Sequence, residues 1–465
     1  MADRSAGSPA YARHRLALLD QLASELHRVT HRNQQMQCLW LYDREVDLAG
    51  LERTYARRCA MPGNRLIEPS PLPFGRPRWV HGPRPGDPIR VGDGVLPRAS
   101  LLAWANAHAR LPSDPVAGPA WHVAVQRFDD GTSAVSITGS HLVMDGLGVV
   151  RSIEAAVLGT EVACDYLPRH GRGRRTAIAD DLRQALADLP AGAAAGARAT
   201  AMAIRGRLAR PSDGLSRDDP AHHGEGTDAD GERIVELPAV IVGVDAAAWD
   251  ARARDLAGHP HGLMPALAAR VAAGLGRLHR TDGSVSLVMP LDVRRGLDDD
   301  RALAFIFANV AIDPDAAQTS LRPVERAVLA GMRSAQRQPE MLGSLLPVVP
   351  WLPRRSATLL LDALFAYGDE RPVTCSHVGT LPAAMGAIDG APCRRLIGRG
   401  VDTNVTLRDL RRTHGHLVVV GSRFRDTVSI GIEGYEPSAG TTTGDLAAIA
   451  RTALADLGLP GTIEA

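Results

Sequence analysis

Apolar residues at Leu16, Leu19, Leu22, Leu26 and Val29 recur at helical spacing and predict an amphipathic helix near the start of the chain. From Ser133 to Ser140 the pattern shifts to alternation, with Val135, Ile137 and Gly139 on one face. His141 continues that parity, so it is expected to leave the sheet pointing toward a covered surface. After Gly146 the helical period returns at Val149, Val150, Ile153, Ala156 and Val157. A strand, a short loop and a helix therefore follow one another here, and such loops often carry function.

The same reading organises the rest. Strand and helix signals alternate to about residue 158. The stretch 191–204 is rich in alanine and suits a helix, although Gly192 and Gly196 weaken it. Proline, aspartate, glycine and histidine crowd 210–232, which reads as an exposed linker. A second unit begins at 233, with strands expected at 284–289, 416–421 and 427–432, and Leu417 to Val420 as a buried strand. The expected division is an N-terminal lobe over 1–209, the linker, and a C-terminal lobe over 233–465. The segment 341–367 is unusually apolar and suits a loop plus core helix, or the wall of a lipid-binding channel.

The loop after the 133–140 strand carries the most telling chemistry. Ser140-His141-Leu-Val-Met-Asp145-Gly146 has the pattern H-x-x-x-D-G. An imidazole with an ordinary pKa of about 6.5 can be neutral near pH 7 and accept a proton. Such general-base help is typically worth about 10²–10⁴-fold in rate. Gly146 allows a tight turn or a close backbone approach to a ligand. On the pattern alone, a histidine that merely satisfies a loop or core remains an open alternative.

Composition narrows the class. The chain has 465 residues, 45% of them hydrophobic, enough for two large lobes. Its 53 basic and 52 acidic side chains leave a net charge of +1, with no overall drive toward nucleic acid. Every basic side chain is arginine, which codon bias explains as well as phosphate contacts do. The five cysteines are scattered without a C-x-x-C pair, which suits a reducing, cytoplasmic setting. The first residues do not read as a signal peptide. No apolar run reaches about 18 residues, so no transmembrane segment is expected, while peripheral membrane contact stays open. The pairs His259-Pro-His261 and His414-Gly-His416 lack a matched carboxylate or cysteine frame, so no metal is expected.

The loop motif resembles that of the chloramphenicol acetyltransferase/condensation-domain superfamily. The flanking sequence is most similar to its wax ester synthase/diacylglycerol acyltransferase branch. Supporting stretches occur in family order: Met36-Gln-Cys-Leu-Trp-Leu-Tyr42, Gly118-Pro-Ala-Trp121, Met289-Pro-Leu-Asp-Val-Arg294, Phe307-Ala-Asn-Val310 and Cys375-Ser-His-Val-Gly379. The resemblance implies an α/β fold of two chloramphenicol acetyltransferase-like lobes, each a mixed β-sheet with helices, and a channel between them. It places a crossover segment near 373–410 of the C-terminal lobe.

It also implies roles. His141 matches the family histidine that acts as general base or positions the nucleophile, and Asp145 an accompanying aspartate that pairs with Arg294 as structural support. Gly146, Asn309, Ser376 and His377 match positions that border substrate. Three departures stand out. Ser140 replaces the first histidine of a common pair, Ala308 replaces glycine before Asn309, and His377 replaces asparagine. For His377, packing is the preferred reading and lining the channel the other. The implied activity is acyl transfer from acyl-coenzyme A, or from an acyl group on the phosphopantetheine arm of a carrier protein, to an alcohol or amine. No further cofactor is expected. The alternatives are a non-catalytic module that docks a carrier protein, and the same scaffold used for cyclisation.

Overall fold

The computed structural model describes residues 14–59, 64–83, 87–160, 166–208, 232–294, 299, 301–337, 341–351 and 371–465. The expected linker lies outside these except for Glu232, as does the apolar segment beyond 351.

Fourteen strands are described: β1 Asn33–Tyr42, β2 Arg65–Glu68, β3 Arg78–His81, β4 Arg90–Leu96, β5 Trp121–Phe128, β6 Ser133–Ser140, β7 Ala239–Asp245, β8 Val285–Asp292, β9 Phe305–Ile312, β10 Val373–Thr380, β11 Arg395–Thr403, β12 His416–Phe424, β13 Thr427–Tyr435 and β14 Gly461–Glu464. They form a five-stranded sheet in the order β11-β1-β6-β5-β4 and a seven-stranded sheet in the order β14-β7-β13-β12-β10-β8-β9. Strands β2 and β3 make a small hairpin-like pair. Both large sheets mix parallel and antiparallel neighbours, as in the mixed α/β class expected.

Each sheet hides one face beneath helices. In the second lobe, the helix Pro260–Gly274 presents Leu263, Leu267 and Val271, fully buried, to Val285, Leu287 and Val419 of the sheet. In the first, Trp40, Val135 and Ile137 pack with Val149 and Ile153 from the helix Gly146–Leu158. These are the parities the alternation at 133–140 and the helical period after Gly146 require. The sheet face and helix stripe that the sequence marks as apolar are the ones that meet.

Two features refine the sequence reading. Strand β11, within the crossover segment that the resemblance placed near 373–410, pairs antiparallel with β1, from Asn33 opposite Thr403 to Leu41 opposite Arg395. The first sheet is therefore completed by a strand from the second half of the chain, and the lobes are interlocked. Strand β12 also alternates rather than being buried on both faces. Leu417 and Val419 enter the core, while Val418 and Val420 face the space between the sheets.

The alanine-rich stretch lies within one long helix, Arg174–Leu208. Gly192 has a packing reason there. A Cβ at this position would meet the Trp351 indole nitrogen at 2.4 Å, so glycine lets the Leu346–Trp351 turn lie against the helix. Among the described residues, no helix is long and apolar enough to cross a membrane.

Candidate active site

The loop after β6 is set by its neighbours before its own chemistry is considered. Gly139 lies opposite Trp121 in the β5–β6 ladder, and a Cβ there would fall 2.0 Å from the indole. Glycine allows the indole to cover that point of the strand. One residue on, the Ser140 N–H donates to the Ala120 carbonyl, and the His141 N–H donates to the Gln34 carbonyl of β1 at 2.8 Å. Main-chain bonds thus fix where the His141 ring leaves the sheet.

The ring faces a cavity of about 310 Å³ between the two sheets. Its walls are mostly apolar. Met36 and Cys38 come from β1, Val150 from the helix after the loop, Phe305 and Phe307 from β9, and Val420 from β12. Phe305 meets the His141 ring edge-on, with centroids 6.4 Å apart, and Phe307 packs against Phe305 at 5.1 Å. Burial lowers the His141 pKa from the ordinary 6.5. The Asp145 carboxylate, a hydrogen bond to its own backbone, and the Asp402 carboxylate oppose that shift without reversing it. The imidazole is therefore neutral at pH 7, the form that accepts a proton.

Asp145 is turned to a different task. It caps the helix Gly146–Leu158, with Oδ1 accepting from the Gly148 N–H at 2.9 Å. Its Oδ2 accepts from Arg294 Nη2 at 2.7 Å and from the Ala304 N–H at 3.2 Å. Its own N–H donates to the Ala302 carbonyl. Both carboxylate oxygens are engaged in this way, in the pairing with Arg294 that the resemblance implied. Arg294 in turn donates to Asp292 at 2.9 Å, and its side chain is 4% exposed.

A second buried carboxylate holds the same connection. Asp20 accepts from the Leu303 N–H at 2.8 Å and the Ala302 N–H at 3.2 Å. Burial pushes its pKa up to about 6, against the pull of Arg65. The segment between β8 and β9 is thus bound to the first lobe from two directions.

Six of the seven residues singled out from sequence line this one cavity: His141, Asp145, Gly146, Arg294, Ser376 and His377. A Cβ at Gly146 would meet nothing within 4 Å, so its backbone borders open space. His377 is exposed at the cavity wall, on a bulge where the β10–β12 register shifts, and is not packed as expected. Burial by surrounding protein and the neighbouring His261 lower its pKa. Asn309 is the exception. It shares a strand face with Phe305 and Phe307 but lies further along β9, exposed and outside the cavity.

Sequence reasoning passed over two kinds of lining. The alternating pair Phe305 and Phe307 carried a signal, since two of the six phenylalanines stand on one face of a strand. Ser422 carried none. The residue borders the cavity from β12 and is 1% exposed, and its buried hydroxyl has no hydrogen-bond partner among the described residues. Such a group is a donor left available for a ligand oxygen. Cys38 is not a competing nucleophile, because burial raises its thiol to about 12.

The Asp145–Arg294 pair makes a direct prediction. Arg294→Ala strands a buried carboxylate and is expected to lower stability by about 3–5 kcal/mol in denaturant titration. Asp145→Asn keeps an oxygen for the helix cap and should lose less. Equal, small losses in both variants would show that the pair braces nothing.

No protein-family model matches the chain, and no curated protein matches it in sequence at a significant level. Solved structures do match in fold. The first condensation domain of the calcium-dependent antibiotic synthetase, in complex with a substrate analogue, is 16% identical with a TM-score of 0.55, covering 96% of this chain and 95% of that one. The wax ester synthase/diacylglycerol acyltransferase from Marinobacter aquaeolei VT8 is 15% identical with a TM-score of 0.54, covering 95% and 98%. A nonribosomal peptide synthetase, FmoA3, is 17% identical with a TM-score of 0.53, and the match spans 98% of this chain but 45% of that longer one. The chain has the two-lobed α/β fold that these condensation domains and the wax ester synthase share.

Proposed function

We propose that the chain is an acyltransferase, moving an acyl group from a thioester to a hydroxyl or amine with His141 as general base. The observation that carries this reading is a histidine held at a fixed place on a largely apolar cavity between two interlocked lobes, where burial lowers its pKa. The presence of a diacylglycerol acyltransferase among structures of this fold supports the same class.

The chemistry balances without another reactant. His141 takes the proton as the acceptor oxygen or nitrogen attacks the thioester carbonyl carbon. The tetrahedral intermediate collapses, the C–S bond breaks, and the imidazolium returns the proton to the departing sulfur. The products are an ester or amide and a free thiol. Apolar walls suit the acyl chain, and removing water from the carbonyl strengthens whatever hydrogen bonds it receives. Two donors of residues at the cavity lining, Ser422 Oγ and Arg399 Nη1, have no hydrogen-bond partner among the described residues. The donor is acyl-coenzyme A or an acyl group on a carrier protein, and the product belongs to lipid or specialised metabolite assembly.

The test is thiol release from a panel of acyl-coenzyme A and acyl-carrier donors with alcohol and amine acceptors. His141→Ala, with its fold verified by circular dichroism, is expected to lower acceptor-dependent release at least about 10²-fold. Unchanged release would remove His141 from the chemistry.

Ser422→Ala separates a ligand contact from a structural one. Deleting a buried hydroxyl that has no partner should leave stability unchanged or raise it. Losing a hydrogen bond to substrate should lower kcat/KM about five- to tenfold, equivalent to about 1–1.4 kcal/mol. Lost stability with unchanged kcat/KM would assign Ser422 to packing.

A further inference from the structure

We propose that His259, His261 and Glu325 form a binding site for a divalent transition-metal ion, with zinc the best match. This goes beyond the acyl-transfer reading and does not depend on it. One donor atom from each of the three side chains lies within 4.8 Å of the other two. In a tetrahedral zinc site with bonds of about 2.0–2.1 Å, donors stand roughly 3.4 Å apart. Closing from the present spacing needs rotation of side chains, not movement of the main chain.

The three donors differ in how they are held, and the difference favours a site. Glu325 is the fixed member. It stands on the helix Arg322–Arg337, and its Oε1 accepts from the His259 N–H at 2.6 Å and lies 3.1 Å from His259 Nδ1. Gly258 and Gly262 leave it room, since a Cβ at either would come within about 3.1 Å of the carboxylate end. The two imidazoles are the adjustable members. His259 caps the helix Pro260–Gly274 with its side chain 72% exposed, and His261 is exposed two residues on. Their rings stack at 5.4 Å and 15°.

Two neutral imidazoles and one carboxylate are a donor set that borderline-soft zinc takes readily, and three protein ligands leave a position open to water. The carboxylate comes from 64 residues beyond His261, which is why the H-x-H spacing alone gave no frame.

The test is isothermal titration of the chelator-treated full chain with zinc chloride at pH 7.5. One ion per chain is expected, with a Kd of about 10 μM or tighter. His261→Ala and Glu325→Gln should each weaken binding at least about tenfold, while His414→Ala should not. Thermal melts without metal should be unchanged in His261→Ala, whose side chain is exposed. Absence of binding at about 100 μM zinc, or wild-type affinity in His261→Ala, would overturn the site.

Discussion

One buried ion pair holds the proposed reaction centre together. Asp145 belongs to the first lobe and Arg294 follows β8 of the second sheet, and their 2.7 Å contact spans the junction. The pair is not a large source of net stability, since removing both charges from water costs roughly what their attraction returns. Its value is positional. The same carboxylate caps the helix after the loop and holds the Ala304 N–H, so one group ties together the loop, the helix and the β8–β9 connection.

That constraint matters because the cavity is a gap between two bodies. If the sheets slid apart, His141 would keep its place on the first lobe and lose its wall on the second. Strand β11 opposes such sliding by crossing into the first sheet. Where it does so, Asp402 is paired with Arg32 at 3.0 Å, and its N–H donates to Glu433 of β13. Glu433 also meets His416 at 3.1 Å, and burial raises its pKa. The junction is thus tied by polar groups that border the largely apolar cavity. In that cavity burial lowers the proton affinity of His141, so the arrangement that joins the lobes also readies the base.

Much of this was legible in the chain. Alternation at 133–140 followed by helical spacing located the loop and gave the direction of His141, because the period of two and the period of 3.6 each fix which side chains share a face. Arg294 and Asp145 were paired only through a resemblance, since 149 residues separate them and local pattern carries no such information. The crossover near 373–410 likewise came only through the resemblance, and the partner of β11 there is a sheet edge more than 350 residues earlier. Asn309 shows a further limit. Parity gave it the right face, while its distance along β9 put it outside the cavity.

The most direct test of the account is the protonation state of His141 itself. A ¹⁵N-edited NMR titration of the imidazoles, with His141 assigned by its absence in His141→Gln, reads that state without assuming any substrate. The account predicts a midpoint below the ordinary value of 6.5, leaving the ring neutral throughout the neutral range. A midpoint at or above 6.5 would mean that the nearby carboxylates outweigh burial, and it would contradict a base held ready by the cavity.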